Sequence, residues 1–323
     1  MNSRRSALKA MVAGVAGMAI GSSVFAQDQN GKLTKLRAIM PGNSCDCHSH
    51  IIGPYDSYPM VESRVYTPPT ASVSELLKLH KDLGIDRSVL IQPSFYGTDN
   101  RCLLDALLEI GSSCRGVAAI APDATESELD NLSRSGIVGI RINHTGGTRD
   151  PNALSALIDR VGRQAAELGW HVQVFFPLPL IGSLAPTIER SPAPFVLDHY
   201  AGAKATGTGQ EGFDAVLGLL KSGKAYAKLS APYHEAHGPA YAGMAELARA
   251  FINANPERVL WGSDWPHTPW IRNPADSKLS VTPFYQVDNV ELLERFLELV
   301  PKDGVKEQIL VKNPESLFHF TSA

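Results

Sequence analysis

The chain has 323 residues, 44% hydrophobic and 20% charged, which is ordinary globular composition with ample length for a buried core. Its 30 Lys and Arg against 33 Asp and Glu give a net charge of −3, so there is no basic excess for nucleic acid. A soluble protein with a small-molecule ligand is the class left standing.

Residues 1–26 read as a cleaved export signal rather than as part of a fold. Arg4 and Arg5 form the basic region, an apolar stretch runs from Ala10 to Ile20, and Val24-Phe25-Ala26 ends in a small-residue cleavage site. "SRRSALK" resembles the twin-arginine signal, with Ala7 where that signal usually has Phe; an ordinary secretory signal is the alternative. The expected location is the periplasm. No other stretch has the roughly 18 apolar residues that a membrane span needs.

Residues 27–43 are polar with Gly and Pro and read as an arm before the domain, which occupies 44–323. From there short apolar runs alternate with amphipathic patterns. The runs cover 44–50, 87–93, 116–122, 136–143, 171–176, 195–202, 225–232 and 258–266. Between them, segments such as "SVSELLKLHKDLG" and "LSALIDRVGRQAAELG" space apolar residues three and four apart and stop at Gly. Strands alternating with helices predict a parallel sheet with helical crossovers. Eight such units predict a single (β/α)₈ TIM barrel. A doubly wound open sheet is the alternative, but no G-x-G-x-x-G turn follows the first strand. Residues 267–290 form a long loop able to cover a site.

In such a barrel, chemistry gathers where strands end. The runs end in His48-Ser49-His50, Gln92-Pro93-Ser94, Arg141-Ile142-Asn143, Gln173-Val174-Phe175, Asp198-His199, Lys228-Leu229-Ser230 and Ser263-Asp264. Three histidines, an aspartate and an arginine thus converge on one mouth. Strand alternation puts Asp46, His48 and His50 on one face and Cys45, Cys47 and Ser49 on the other. With the histidines in the mouth, the two cysteines are expected against the helices and Asp46 deeper in the barrel. Cys102 and Cys114, at opposite ends of a helical pattern, would lie ~18 Å apart, too far for a disulfide. Buried free thiols are the expected state.

The H-x-H of residues 48–50, "LDHYAG" (197–202), "LWGSDWPHT" (260–268) and the near-terminal "NPESLFHF" (313–320) resemble the amidohydrolase superfamily. Within it they are most similar to the amidohydrolase-related branch typified by 2-pyrone-4,6-dicarboxylate lactonase. The resemblance spans roughly residues 44–320 and implies a (β/α)₈ barrel that hydrolyses a small acidic lactone.

His48, His50 and Asp264 could hold zinc, which takes three protein ligands in catalytic sites. Metal-dependent members of the superfamily add a histidine from the fifth strand. Here the fifth run offers only His171, at its N-terminal end and expected to face away, and the fourth offers the cation Arg141. The expectation is therefore no cofactor, with zinc as the alternative. Asp264 is the expected base for a water molecule, and His48, His50 and His199 the groups that bind the lactone carbonyl. Arg141 suits a substrate carboxylate. Tyr66, Ser94, Asn100 and His267 are second-rank substrate contacts, the first three because similar segments bind carboxylates in that branch. His234 and His237 follow the seventh strand with no assigned role, and residues 225–248 lack the arginine expected for a dicarboxylate. That leaves room for a sugar-acid lactone. The competing functions are a zinc-dependent hydrolase or decarboxylase and a periplasmic binding protein without turnover. Oligomeric state is not readable.

Overall fold

All eight apolar runs form strands, each hydrogen-bonded in parallel to the next in order β1 to β8. The computed structural model describes residues 31–143, 150–236, 241–269 and 279–321. The export signal, residues 27–30 and His237 lie outside them. Among the described residues, no helix is long and apolar enough to cross a membrane. The arm contains a helix, α1 (31–39), whose Leu36 joins the main core. Then follow β1 (Cys45–Ser49), α2 (Val73–Leu83), β2 (Arg87–Ile91), α3 (Arg101–Ile110), β3 (Cys114–Ala118) and α4 (Glu126–Arg134). Next come β4 (Ile137–Asn143), α5 (Pro151–Glu167), β5 (His171–Phe175), α6 (Leu178–Arg190), β6 (Phe195–Leu197) and α7 (Phe213–Lys221). The chain ends with β7 (Ala225–Leu229), α8 (Met244–Ala254), β8 (Val259–Trp261), α9 (Asn289–Leu299), α10 (Asp303–Glu307) and α11 (Asn313–Phe318). Local chemistry supports the helix starts: Ser72 with Glu75 and Thr125 with Glu128 form capping boxes on α2 and α4.

Several predicted strands are too long because the chain turns sharply at the mouth. After Leu197, His199, Tyr200 and Ala201 take φ of 49°, 55° and 55°. After Trp261, Asp264 takes φ of 60°. Left-handed residues cannot continue a strand, so the runs predicted for 195–202 and 258–266 stop short. The barrel closes at these same residues. The Asp264 amide donates to the His48 carbonyl at 2.8 Å and the His50 amide to the Trp265 carbonyl at 2.8 Å. Closure requires a glycine at 262, because a Cβ there would lie 2.7 Å from His48 Cβ.

The opening strand departs from simple alternation. Between Asp46↔Ser88 and Ser49↔Leu90 the register shifts by one residue, a β-bulge. Cys45 and Cys47 pack with Val89, Val117, Val196 and Leu260, one residue from each of several strands, which is the barrel interior. The cysteines therefore face inward, not toward the helices. All four cysteines are buried and free. Asp46 faces out, its carboxylate 3.1 Å from His80 Nε2 on α2. The bulge then turns His48 inward directly after Cys47. Asp46 holds it there, accepting from the His48 amide at 3.1 Å, the Ser263 amide at 2.9 Å and Ser263 Oγ at 2.5 Å. One outward carboxylate thus ties the bulge of β1 to the end of β8.

Leu317, Phe318 and Phe320 close the bottom of the barrel against the inner cysteines. His171 also corrects an expectation, because it shares the inner face with Gln173. Its distance from the mouth comes from depth instead, its ring 5.4 Å from that of Phe318 at the floor. Above the mouth, the described part of the long loop is anchored by Thr282, whose amide donates to the Thr67 carbonyl at 2.8 Å.

Candidate active site

Asp264 is the centre of the mouth. Its carboxylate Oδ1 lies 3.5 Å from His48 Nε2, 3.6 Å from His50 Nε2 and 3.9 Å from His199 Nε2. Its Oδ2 lies 3.9 Å from His234 Nε2 and accepts a 2.6 Å hydrogen bond from the Tyr233 hydroxyl. Burial opposes charge on this carboxyl, but the surrounding imidazoles, His199 foremost, hold it well below the usual carboxylate range. Burial in turn pushes His48 and His199 down to about 3 and His234 to about 4. At neutral pH the cluster holds an ionised aspartate with neutral His48, His199 and His234 around it. Tyr233 stays protonated, raised by burial and by Asp264, and so can only donate to that carboxylate. The left-handed backbone at Asp264 and His199 is strain of the kind that active sites keep.

The imidazole protons are set from behind. His50 Nδ1 lies 2.7 Å from the Ile91 carbonyl, which can only accept, so the proton of a neutral His50 sits on Nδ1 and its Nε2 lone pair faces the mouth. His199 Nδ1 is 2.9 Å from Ser230 Oγ. Arg141 donates to the Gln92 carbonyl at 2.7 Å and stands 3.6 Å from Asp198. Its Nε completes no hydrogen bond among the described residues.

A cavity of about 480 Å³ opens above this cluster. Asp264, His50, His199, His234 and Arg141 line it, with Tyr66, Ser94 and Phe175 on its walls and the exposed Lys204 at its edge. Three expected site residues take other places. His48 is fully buried and is not among the cavity's lining residues. His267 buttresses Tyr233, its Nδ1 3.0 Å from the hydroxyl and its Nε2 3.0 Å from Asn289 Oδ1. Asn100 ties the loop after β2 to the end of β3, bonding the Ala119 carbonyl at 2.8 Å and its amide at 3.1 Å. Asp198, Gln173, Lys228 and Tyr233 complete the polar network. All but Tyr233 stand at strand ends in the sequence, but as single polar residues they carry no pattern that marks a role.

His48, His50 and Asp264 are the residues that would hold a metal ion. Their separations of 3.5 and 3.6 Å are near the ~3.3 Å edge of a tetrahedron with zinc bonds of 2.0–2.1 Å. The neighbouring trio His48, Asp198 and His199 has a different occupant, since the Lys228 ammonium is 3.4 Å from Asp198 and 3.3 Å from His48 Nδ1.

The amidohydrolase family model matches residues 45–320, nearly the whole barrel. The chain belongs to the amidohydrolase family. It is 33% identical over 295 residues to 4-sulfomuconolactone hydrolase of Hydrogenophaga intermedia, covering 88% of this chain and 92% of that one. It is 30% identical over 290 residues to 2-pyrone-4,6-dicarboxylate hydrolase of Comamonas testosteroni, covering 86% and 91%. A crystal structure of a probable 2-pyrone-4,6-dicarboxylic acid hydrolase from Acinetobacter baumannii, with citric acid bound, superposes with a TM-score of 0.72. That likeness has 25% identity and covers 86% of this chain and all of the other. Both named relatives are lactone hydrolases, and the chain is an enzyme of that amidohydrolase group.

Proposed function

We propose that this amidohydrolase opens a small carboxylate-bearing lactone, with Asp264 activating the water. The observation that carries this is the ionised Asp264 at the base of the cavity, ringed by histidines and flanked by one buried cation, Arg141. The names of the relatives support the substrate class: one acts on a muconolactone, the other on a pyrone dicarboxylate.

Water sits between Asp264 Oδ1 and the lone pair of His50 Nε2, giving one hydrogen to each. As its oxygen bonds to the lactone carbonyl carbon, its proton passes to Asp264. His199 and His234, on the cavity side of the carboxylate, face the carbonyl oxygen and stabilise the oxyanion. Collapse breaks the ring C–O bond, and the proton on Asp264 returns to the departing oxygen. Arg141 holds the substrate carboxylate through its fork, with Tyr66 and Ser94 beside it. Lys204 at the edge offers a second positive charge to an anionic substituent farther from the reacting carbon. A metal ion held by His48, His50 and Asp264 would supply Lewis-acid polarisation of the carbonyl, the chemistry of the zinc-dependent alternative.

A panel of muconolactone, pyrone-dicarboxylate and aldaric-acid lactones, followed by proton release, tests the assignment. Turnover of at least one of them is expected; binding without turnover of any would favour a binding protein. We also assign residues 1–26 to twin-arginine export; a mature periplasmic protein beginning at Gln27 is the expected product.

A further inference from the structure

Lys228 is the most unusual buried group in the molecule. Its side chain is fully buried on the inner face of β7, below the mouth, where an unpaired ammonium would be prohibitive. Its ammonium donates to Gln173 Oε1 at 2.8 Å and to His48 Nδ1 at 3.3 Å, and it forms an ion pair with Asp198 Oδ1 at 3.4 Å that completes no hydrogen bond. An ammonium can only donate, so a ring nitrogen that bonds it must offer a lone pair. Asp198 Oδ1 also lies 3.3 Å from His48 Nδ1, but it accepts a hydrogen bond neither from the ring nor from Lys228. The Asp198 carboxylate is instead engaged by Gln173, whose Nε2 donates to Oδ2 at 3.0 Å.

The consequence falls on the opposite side of the ring. With Nδ1 accepting, neutral His48 carries its proton on Nε2. That nitrogen is 3.5 Å from Asp264 Oδ1 and completes no hydrogen bond among the described residues. His48 does not line the cavity, so the proton is presented to the carboxylate rather than to substrate.

We propose that Lys228 is a positioning residue that fixes the tautomer of His48, so that its Nε2 proton is turned toward the carboxylate of the catalytic base. The arrangement inverts the familiar carboxylate–histidine pair: a buried cation, not an anion, stands behind the imidazole and selects the opposite tautomer. His50, just past the end of the same strand, has the reverse setting, fixed by the Ile91 carbonyl. Asp264 Oδ1 therefore faces one donor, His48, and one lone pair, His50. A proton is turned toward the carboxylate on one side and water is oriented on the other. The same proton removes the lone pair that His48 would need to bind a metal ion. This role rests on the proposed function only in naming Asp264 as the base; the proton position does not depend on it.

Two-bond ¹H–¹⁵N correlation of ring-labelled protein reads the tautomer directly, with the His48 signals assigned by their loss in His48→Asn. In the unmodified protein His48 is expected as the Nε2–H form; the Nδ1–H form would overturn the proposal. That measurement needs no Lys228 variant, so misfolding of one cannot shelter the idea. In Lys228→Met the tautomer is expected to switch to Nδ1–H, directed to Asp198. For whichever lactone is turned over, kcat is expected to fall about 10- to 100-fold with KM nearly unchanged, as for loss of a bond to a charged group. Lys228→Arg, which keeps a buried donor, is expected to restore the Nε2–H form. A Lys228→Met protein that keeps the wild-type tautomer would refute the assignment. If no lactone is hydrolysed, the functional reading fails and the tautomer result stands alone.

Discussion

Replacing Tyr233 by Phe removes one oxygen from the site and little else. The ring keeps its packing, with centroids 4.9 Å from His234, 5.5 Å from His267 and 5.6 Å from Tyr285. What is lost is the 2.6 Å bond from the hydroxyl to Asp264 Oδ2. A hydrogen bond to a charged group contributes about 1.5–3 kcal/mol, and 1.36 kcal/mol corresponds to one pKa unit. The bond favours the ionised carboxylate, so its loss raises the Asp264 pKa. Catalysis needs that carboxylate ionised, so the acid limb of the kcat profile must move up in pH by the same amount. The assay is kcat against pH for both proteins on one hydrolysed lactone, with a melting curve to show that the variant is folded. An acid limb that does not move would refute the view that Tyr233 holds the base in its charged form.

Arg141→Met is expected to raise KM for a carboxylate-bearing lactone about 10- to 100-fold, through loss of a charge-assisted contact, and to affect an uncharged lactone far less. Equal effects on both would remove Arg141 from substrate recognition. Stability should also fall in acid. Burial holds His48, His171 and His199 at about 3, below the ordinary value of 6.5. The unfolded chain therefore takes up protons that the native state cannot. Their contribution is complete above pH 6.5 and is lost as pH falls toward 3, by up to about 1.4 kcal/mol per histidine per pH unit. Denaturant melts between pH 7 and 4 check this, and constant stability over that window would contradict the buried neutral assignment.

The barrel was legible because its signals are repetitive: eight apolar runs, each followed by an amphipathic segment, leave few other topologies. His50, His199, Arg141 and Asp264 were legible for a related reason, since strand ends in a barrel share one mouth. Alternation also brings His48 near the mouth, but it carries no sign of the burial of that ring beneath Asp264. A one-residue bulge inverts strand parity, and nothing in "SCDCHSH" marks where the extra residue enters. Cys45, Cys47 and Asp46 therefore take the faces opposite to those that simple alternation predicts. Tyr233 and His267 were hidden differently, because they meet through loops whose path depends on left-handed residues such as Ala231, Asp264 and His267 (φ 49°, 60° and 70°). Asn100 shows the converse limit: a polar residue in a loop above the mouth suggested substrate, but its amide is spent on the backbone at Ala119.

The central claim is that Asp264 activates water for lactone opening, and Asp264→Asn tests it most directly. The amide keeps the shape and can still accept from Tyr233, but it cannot take a proton from water. With a lactone that the unmodified enzyme hydrolyses, the account predicts a folded variant whose kcat is lower by about 10²–10⁴-fold, the usual contribution of a general base. Near-wild-type turnover in that variant, measured by proton release, would contradict it.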